Sequence, residues 1–448
     1  MLAGKLLLAF FVEHGAKGGI KHQQKFDSQS SQQKQSDEKK AVLTRCISNL
    51  VDNGLHFAGP LFNKRHVPSK RLTSFFRSAA AVFLSILSWN TLAFSAENTA
   101  ANNFLGMNSC SSSGCHGGAA EKKNECEIWS KKDFHSRSFA TLTTARSERL
   151  AEVLKMVSPT KDASCTSCHA PFQTLPPTPQ TKRLDLTEGV SCESCHGPAE
   201  AWLRSHTRSD FTHLDRVNAG MRDLKNLYSR ANSCVACHQN ISSNLLAAGH
   251  PELIFELDGQ AVSQPKHWTE SAQWNGAQTW LVGQAVALRE ISWQRTKTEG
   301  DLKLRDQWSG LVWLLERIGR DDKSLGLDAI FAQPENSQAT RAQKLSDELA
   351  RTVADTKWSR EMTARLLNSL ATTSGDFREK SVAQSIQARR AERLVLCLDR
   401  LVQSSEKQTR KAVNAELGQL FSLAQSLPDF DPAKFADALD KFSSKLRE

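Results

Sequence analysis

The sequence is poor in cysteine, in tyrosine and in long apolar runs. Its 448 residues include 11 cysteines, a content too low for a fold that disulfide bonds hold together. Tyr228 is the only tyrosine. The apolar run from Ala79 to Trp89 is shorter than the roughly 20 residues that a membrane-spanning helix needs. These absences argue against a disulfide scaffold and against a typical membrane span.

The chain beyond residue 270 lacks the residue types that most often bind metals. Histidine does not occur after His267, and Cys397 is the only cysteine after Cys237. No nucleophile–base pair and no phosphate-binding loop is recognisable there. Chemistry is therefore expected in the earlier part of the chain, where cysteine and histidine cluster.

Positive charge is concentrated at the amino-terminal end. The whole chain has a net charge of +10, and a basic chain suggests a nucleic-acid partner. Residues 1–95 carry 13 Lys and Arg against 5 Asp and Glu, which leaves the remainder at only +2. The basic character belongs to the leader, so no nucleic-acid binding is predicted.

An export signal peptide is predicted at residues 67–95. Arg71 and Arg77 precede the short apolar run, and small residues follow it up to Ser95. Cleavage is expected near Ser95 or Ala96, and an uncleaved membrane anchor is the alternative. The mature protein is therefore expected to be periplasmic or otherwise exported.

Residues 1–66 are predicted to be a mis-called start or a disordered leader. Residues 21–40 are rich in Gln, Lys and Ser, a composition typical of disorder. Translation that began near Val67 would place the basic residues directly ahead of the apolar run, as in an ordinary signal peptide.

Three copies of the pattern C-x-x-C-H follow. They comprise Cys165, Cys168 and His169; Cys192, Cys195 and His196; and Cys234, Cys237 and His238. This pattern is typical of c-type haem attachment, in which two sulfurs join the porphyrin and the histidine binds the iron as proximal ligand. Zinc binding or thiol redox chemistry would explain the cysteine pairs, but neither explains a histidine after every pair.

A fourth, stretched version of the pattern precedes these three. In the stretch CSSSGCHGG, Cys110 is separated from Cys115 and His116 by four small residues. A flexible spacer can bulge while both sulfurs reach the ring, so a haem site is predicted here too. The alternative is a disulfide-closed loop with His116 on the surface. The prediction is thus four c-type haems, with iron bound by His116, His169, His196 and His238.

Five further histidines lie in the same region. They are His135, His206, His213, His250 and His267. Five candidates for four vacant iron faces predict mostly bis-histidine haems, the low-spin type that suits electron transfer. His213 is expected to be an ordinary surface histidine, whereas the other four are candidate iron ligands.

The segment Gly189–Pro198, GVSCESCHGP, resembles the third haem motif of the cytochrome c-554 family of tetrahaem cytochromes. Trp129 and His135 match a tryptophan and a histidine that follow the first motif in that family. His206 matches a histidine some ten residues after the third motif. The resemblance covers roughly residues 105–250, and the stretched first motif departs from it.

The resemblance implies which haem each distal histidine serves. It implies that His206 binds the first haem and His135 the third, and that the second haem has an open face. The family ligand of the fourth haem has no clear match here, so His250 and His267 compete for it. If both bind iron, no face stays open.

Residues 96–270 are predicted to form a loop-rich tetrahaem cytochrome c domain with short helices. Residues 271–448 are rich in helix formers at helical spacing and predict an all-α bundle of five to seven helices, of unknown role. The fold class is therefore mainly α. Cys397 is expected to be buried, although a disulfide to Cys126 is conceivable.

Five tryptophans occur near the start of the predicted bundle. They are Trp274, Trp280, Trp293, Trp308 and Trp313. We expect ordinary core residues, and the alternative is a face that packs against the haem domain.

These features predict an exported multihaem cytochrome that transfers electrons between redox partner proteins. One alternative is an enzyme that converts a small nitrogen or oxygen species at a five-coordinate haem. No C-x-x-C-K motif occurs, and the single tyrosine, Tyr228, is no obvious cross-link donor, which argues against it. Another alternative is a haem-bearing subunit of a membrane redox complex, which the long helical half suggests.

Mass spectrometry of the purified protein tests the haem count and the leader together. It should show a mass gain of four haems and a first residue near Ala96. A gain of three haems would remove the site at Cys110 and Cys115, and a peptide from residues 1–66 would contradict the mis-called start.

Overall fold

The computed structural model describes residues 102–298, 300–321, 335–424 and 428–448. The predicted leader and export signal lie outside these ranges. Within them the chain is helical and contains no strand, which confirms the mainly α fold. No helix in this part of the chain is both long and apolar enough to cross a membrane.

The first part of the described chain consists of short helices joined by loops. Its α-helices are α1 Glu125–Lys132, α2 Ser138–Thr141, α3 Ala145–Val153, α4 Ala163–His169, α5 Cys192–His196, α6 His213–Asn218, α7 Leu227–His238, α8 Ser243–Ala247 and α9 Leu257–Ser263. Polar caps start several of them. The Asp162 carboxylate accepts the Ser164 amide at α4, and the Asn226 side chain accepts the Ser229 amide at α7. The expected short helices with cysteine–histidine pairs are therefore present.

The second part is a bundle of longer helices. It comprises α10 Gly276–Arg295, α11 Leu302–Asp321, α12 Glu335–Asp355, α13 Arg360–Ala371, α14 Ser374–Phe377, α15 Gln384–Gln403, α16 Lys407–Leu423 and α17 Pro432–Arg447. Seven are long and α14 is a single turn, so the described residues agree with the upper end of the expected number. Helix α10 is buried on all sides from Gly276 to Ser292 and packs against α7, α9, α11, α12 and α15.

One apolar core crosses the predicted domain boundary at residue 270. Ala231 and Val235 of α7, together with Phe255 and Leu257, belong to the same buried cluster as Trp280 of α10. The helix that carries the fourth motif therefore rests directly on the bundle. Burial of such apolar surface stabilises the contact by about 25 cal/mol per Å².

The tryptophans divide between the core and the haem region. Trp280, Trp308 and Trp313 are buried in the bundle as ordinary core residues. Trp274 instead lines the large cavity described below. Cys397 is fully buried in α15, and neither it nor Cys126 forms a disulfide. The conceivable bond between them is therefore absent from this structure.

A buried polar cluster ties α7 to α10 and α12. Arg289 Nη1 donates to the Asp347 carboxylate at 2.6 Å, and Nη2 donates to the Asn232 side chain at 2.6 Å. The Tyr228 hydroxyl donates to the same carboxylate at 2.7 Å. Charge-assisted bonds of this kind are stronger than neutral ones. They set the position of α7, and hence of the fourth motif, on the bundle.

Substitution Arg289→Met tests this anchor. It removes the arginine donor of the buried Asn232 oxygen and the cationic partner of the buried Glu290 carboxylate, while Asp347 keeps its bonds from Tyr228 and Arg351, so the free energy of unfolding should fall by about 3 kcal/mol. Denaturant unfolding of the haem-loaded protein measures the change. Arg378→Gln is the control, because Arg378 forms exposed ion pairs with Asp437 and Asp440 worth at most about 1 kcal/mol. Equal effects of both variants would contradict the anchor.

Candidate haem site

A single cavity of about 2260 Å³ occupies the centre of the loop-rich part. It exceeds the roughly 300–1,000 Å³ of an ordinary ligand pocket, so it has room for several large groups. All eight motif cysteines and all four motif histidines line it: Cys110, Cys115, His116, Cys165, Cys168, His169, Cys192, Cys195, His196, Cys234, Cys237 and His238. The four motifs, far apart in sequence, thus face one space.

Each of the three regular motifs ends a helix. Helices α4, α5 and α7 all terminate at the motif histidine, at His169, His196 and His238. Residues three apart lie on one face of a helix, so a helical turn points both sulfurs and the next imidazole toward the same side. This local geometry is what attachment along one porphyrin edge requires.

The stretched first motif forms a closed loop. The His116 amide donates to the Cys110 carbonyl at 3.2 Å, and the Cys115 amide donates to the Ser112 carbonyl at 2.9 Å. A Cβ atom at Gly117 would lie 1.9 Å from the Ser111 carbonyl oxygen, so only glycine fits there. Both cysteines line the cavity, as the haem prediction requires, although Cys115 is also exposed.

Several histidines carry an oxygen acceptor at Nδ1. The acceptors are the Glu125 carboxylate for His116 at 3.1 Å, the Asp133 carboxylate for His135 at 3.0 Å, the Ser138 carbonyl for His169 at 3.0 Å, the Leu203 carbonyl for His206 at 2.6 Å and the Pro251 carbonyl for His250 at 2.8 Å. A proton held at Nδ1 leaves the Nε2 lone pair free for a metal. This tautomer is the one in which Nε2 can bind a metal.

Burial favours the neutral form of five histidines that line the cavity. It lowers the pKa of His196 and of His238 to about 4, and it also lowers the pKa of His169, His250 and His267. The neutral imidazole is the form that binds a metal. The residues present thus fit the iron of a haem in both tautomer and charge.

Three motif histidines face a second imidazole across the cavity. The ring centroids of His116 and His206 are 6.1 Å apart, those of His238 and His135 are 6.0 Å apart, and those of His196 and His267 are 6.4 Å apart. Two imidazole nitrogens that each lie about 2 Å from one metal are about 4 Å apart. Each ring centroid lies farther from the metal than the binding nitrogen does, so the two centroids are farther apart than the two nitrogens. The observed separations of 6.0 to 6.4 Å fit this arrangement, so these pairs suit bis-histidine ligation.

The pairing agrees with the resemblance at one position and differs at another. His206 faces His116 of the first motif, as the resemblance implies. His135 faces His238 of the fourth motif instead of His196, and His267 takes the place opposite His196. The His135 carbonyl does accept the Val190 amide just before the third motif, at 3.1 Å. The backbone therefore lies beside the third motif while the ring extends toward the fourth.

The second motif has no such partner. His169 makes no ring contact with another histidine in the part of the chain that the structure describes. His250 is the cavity-lining candidate left over, on a loop in which Gly249 has a φ of +104° and Arg146 donates to the Gly249 carbonyl at 3.0 Å. His213 is exposed and bonds to Asp223 at 3.1 Å, as expected of a surface histidine.

Interactions between cysteines place the motifs in a row. The Cys168 thiol of the second motif is close enough to Cys237 of the fourth to interact with it. Cys234 of the fourth interacts electrostatically with Cys195 of the third. Cys192 of the third is likewise close enough to interact with Cys110 of the first, and all of these cysteines are free thiols. The spatial order is therefore second, fourth, third, first, which differs from the order in sequence.

Two residues of the site were not predicted from the sequence as functional. Cys126 lines the cavity and is close enough to Cys192 to interact with it, so a ninth cysteine belongs to the cavity. The Glu193 carboxylate accepts the amides of Leu105, Gly106 and Ala199 at 2.9, 2.7 and 2.6 Å, and its burial raises its pKa to about 7. Glu193 thus holds Leu105 and Gly106, which precede the first motif, against the third motif. In the sequence, the only indication of this role is that Glu193 lies inside the third motif.

Residues 109–197 match the family model of cytochrome c554 and c-prime. The matched segment contains the first three motifs and ends before the fourth. It supports a c-type cytochrome, a protein whose haem is bound covalently through cysteine and which transfers electrons. No curated protein and no solved structure gives a significant match.

Substitution of the opposed histidines by alanine tests the pairing. His206→Ala, His135→Ala and His267→Ala should each convert one low-spin haem to high spin, because one iron loses its second imidazole. Electron paramagnetic resonance of the oxidised protein measures the fraction. His213→Ala is the control and should leave the spectrum unchanged. An unchanged spectrum in His135→Ala would contradict its place opposite His238.

Proposed function

We propose that the protein is an exported tetrahaem c-type cytochrome that passes electrons between redox partner proteins. The observation that carries this proposal is the set of three opposed imidazole pairs inside a cavity lined by the motif cysteines. An iron held by two histidines has no free position for a substrate, which leaves electron transfer as its chemistry. The proposal extends the family match, which does not reach the fourth motif.

The residues of the chain have distinct tasks in this function. The motif cysteines would attach one edge of each haem, and His116, His169, His196 and His238 would bind iron. His206, His135 and His267 would supply the second ligand for the first, fourth and third haems. A bound haem supplies one-electron oxidation and reduction. Enclosure by protein and hydrogen bonds at Nδ1 set how readily they do so.

The spatial order of the motifs supports a linear path. Electrons that enter beside the second motif would pass the fourth and third before they reach the first. Cysteines of neighbouring motifs lie close enough to interact, so each step would be short. The bundle formed by the described residues beyond 270 packs against α7 and so holds the fourth motif in place. We propose no catalytic role for this bundle.

A second candidate function rests on the second motif. Among the described residues no imidazole ring contacts that of His169, although His250 is close enough to interact with it electrostatically. If His250 does not bind it, the iron there would keep an open position, the arrangement that lets a haem bind a substrate. The chain would then be an enzyme for a small nitrogen or oxygen species. His250 lies on the nearest suitable loop, and its ligation would close the site.

Carbon monoxide binding to the reduced protein tests the open position. We expect one haem in four to bind it, because three irons are closed by histidine pairs. His250→Ala should not change this fraction. Binding that appears only in His250→Ala would show that His250 closes the second haem, and would remove the ground for the enzyme.

Electron counting separates the carrier from the enzyme. Reductive titration should take up four electrons per molecule, and the reduced protein should pass them to a one-electron acceptor dye. Steady-state assays with hydroxylamine, nitrite and peroxide should show no turnover above that of free haem peptide. Turnover with any of them would favour the second candidate.

A further inference from the structure

Arg222 lies where the third and fourth motifs approach each other. Its backbone N–H donates to the His196 carbonyl at 2.8 Å, and its Nη1 donates to the Ser194 and Cys195 carbonyls at 2.7 and 2.8 Å. The same guanidinium interacts electrostatically with the thiols of Cys195 and Cys234. Arg222 thus bonds to the backbone of the third motif, and its charge also acts on the fourth motif.

The Arg222 charge has no carboxylate partner among the described residues. Arg230, a neighbour on the cavity wall, differs: it forms a two-point bond with Glu270 at 2.9 and 3.0 Å. Protein encloses Arg222 on most sides, and this burial lowers its pKa. An enclosed cation without a counter-ion is costly. A neutral side-chain donor would serve the Ser194 and Cys195 carbonyls at lower cost.

Part of the role of Arg222 is structural. Helix α5 ends at His196, and a cation near the last carbonyls of a helix stabilises that end. Gly197 follows with a φ of +82°, and a Cβ atom there would lie 3.2 Å from the Gly220 carbonyl. The chain before Arg222 therefore packs tightly on the exit of the third motif. This packing holds the guanidinium at a fixed place beside both motifs.

The position of the charge bears on reduction. A cation near a redox centre favours the state that holds the extra electron, and the effect is larger where water is excluded. The thiols with which Arg222 interacts belong to the third and fourth motifs. The first and second motifs lie at the two ends of the row. The charge therefore acts on the middle of the row and much less on its ends.

We propose that Arg222 raises the reduction potentials of the haems at the third and fourth motifs above those of the haems at the ends. This inference rests on the proposed electron-transfer function. An electron would then be held at the centre of the row until a partner accepts it from one end. Arg222 is a positioning residue, because it acts through charge and through the backbone of the third motif.

Redox titration of the haem-loaded protein, followed by its absorption spectrum, tests the proposal. In Arg222→Gln, two of the four one-electron steps should move to lower potential, while the other two stay in place. Arg222→Lys keeps the charge and should leave all four close to the original values. Arg378→Gln changes the net charge equally on the exposed surface of the bundle and should move none. His267→Met and His135→Met identify the steps of the third and fourth haems.

The haem count by mass spectrometry separates the possible failures. Arg222→Gln with four haems and unmoved potentials would overturn the role of Arg222 but not the proposed function. A wild-type protein without haem would overturn both. If Arg222→Gln does not load haem, Met221→Glu places an opposing charge beside the intact arginine, with Met221→Gln as its control. The same two steps should fall in Met221→Glu alone, and their failure to move would overturn the proposal.

Discussion

The short helix that ends on a histidine is the constraint on which the rest of the structure depends. One helical turn aligns two sulfurs and an imidazole, and three of the four motifs use it at α4, α5 and α7. These helices are too short to bury much apolar surface against each other. The loops between them instead surround one cavity of about 2260 Å³, where the motifs meet. A covalently bound porphyrin is the kind of apolar group that can complete such an interior.

The bundle supplies the rigidity that the loop-rich part does not have by itself. Helix α7 is shared between the two: its end carries Cys234, Cys237 and His238, and its apolar side lies in the core of the bundle. The cluster around Arg289 adds directional bonds to this packing. The fourth motif is thus set in a fixed frame. The third approaches it at Arg222, and the second and first continue the row on either side.

Much of this arrangement could be predicted from the sequence, because the relevant chemistry is local. The cysteine–histidine patterns predict the proposed attachment points and proximal ligands, and each depends on residues within one or two turns of chain. The surface position of His213 and the helical nature of the described residues beyond 270 were also predicted. The pairing of distal ligands was predicted only in part. His135 is close to the third motif in sequence and in backbone contact, yet its ring extends to the fourth.

The sequence by itself determined which residues form the candidate haem motifs, since the spacing of two sulfurs and an imidazole is a property of a few consecutive residues. The tertiary structure decided which histidine faces which motif, the spatial order of the motifs, and the place of Arg222 between two of them. Those features depend on side-chain direction and on contacts between segments far apart in the chain. No local pattern encodes such contacts, because they form only when the loops pack around the cavity and α7 packs on the bundle.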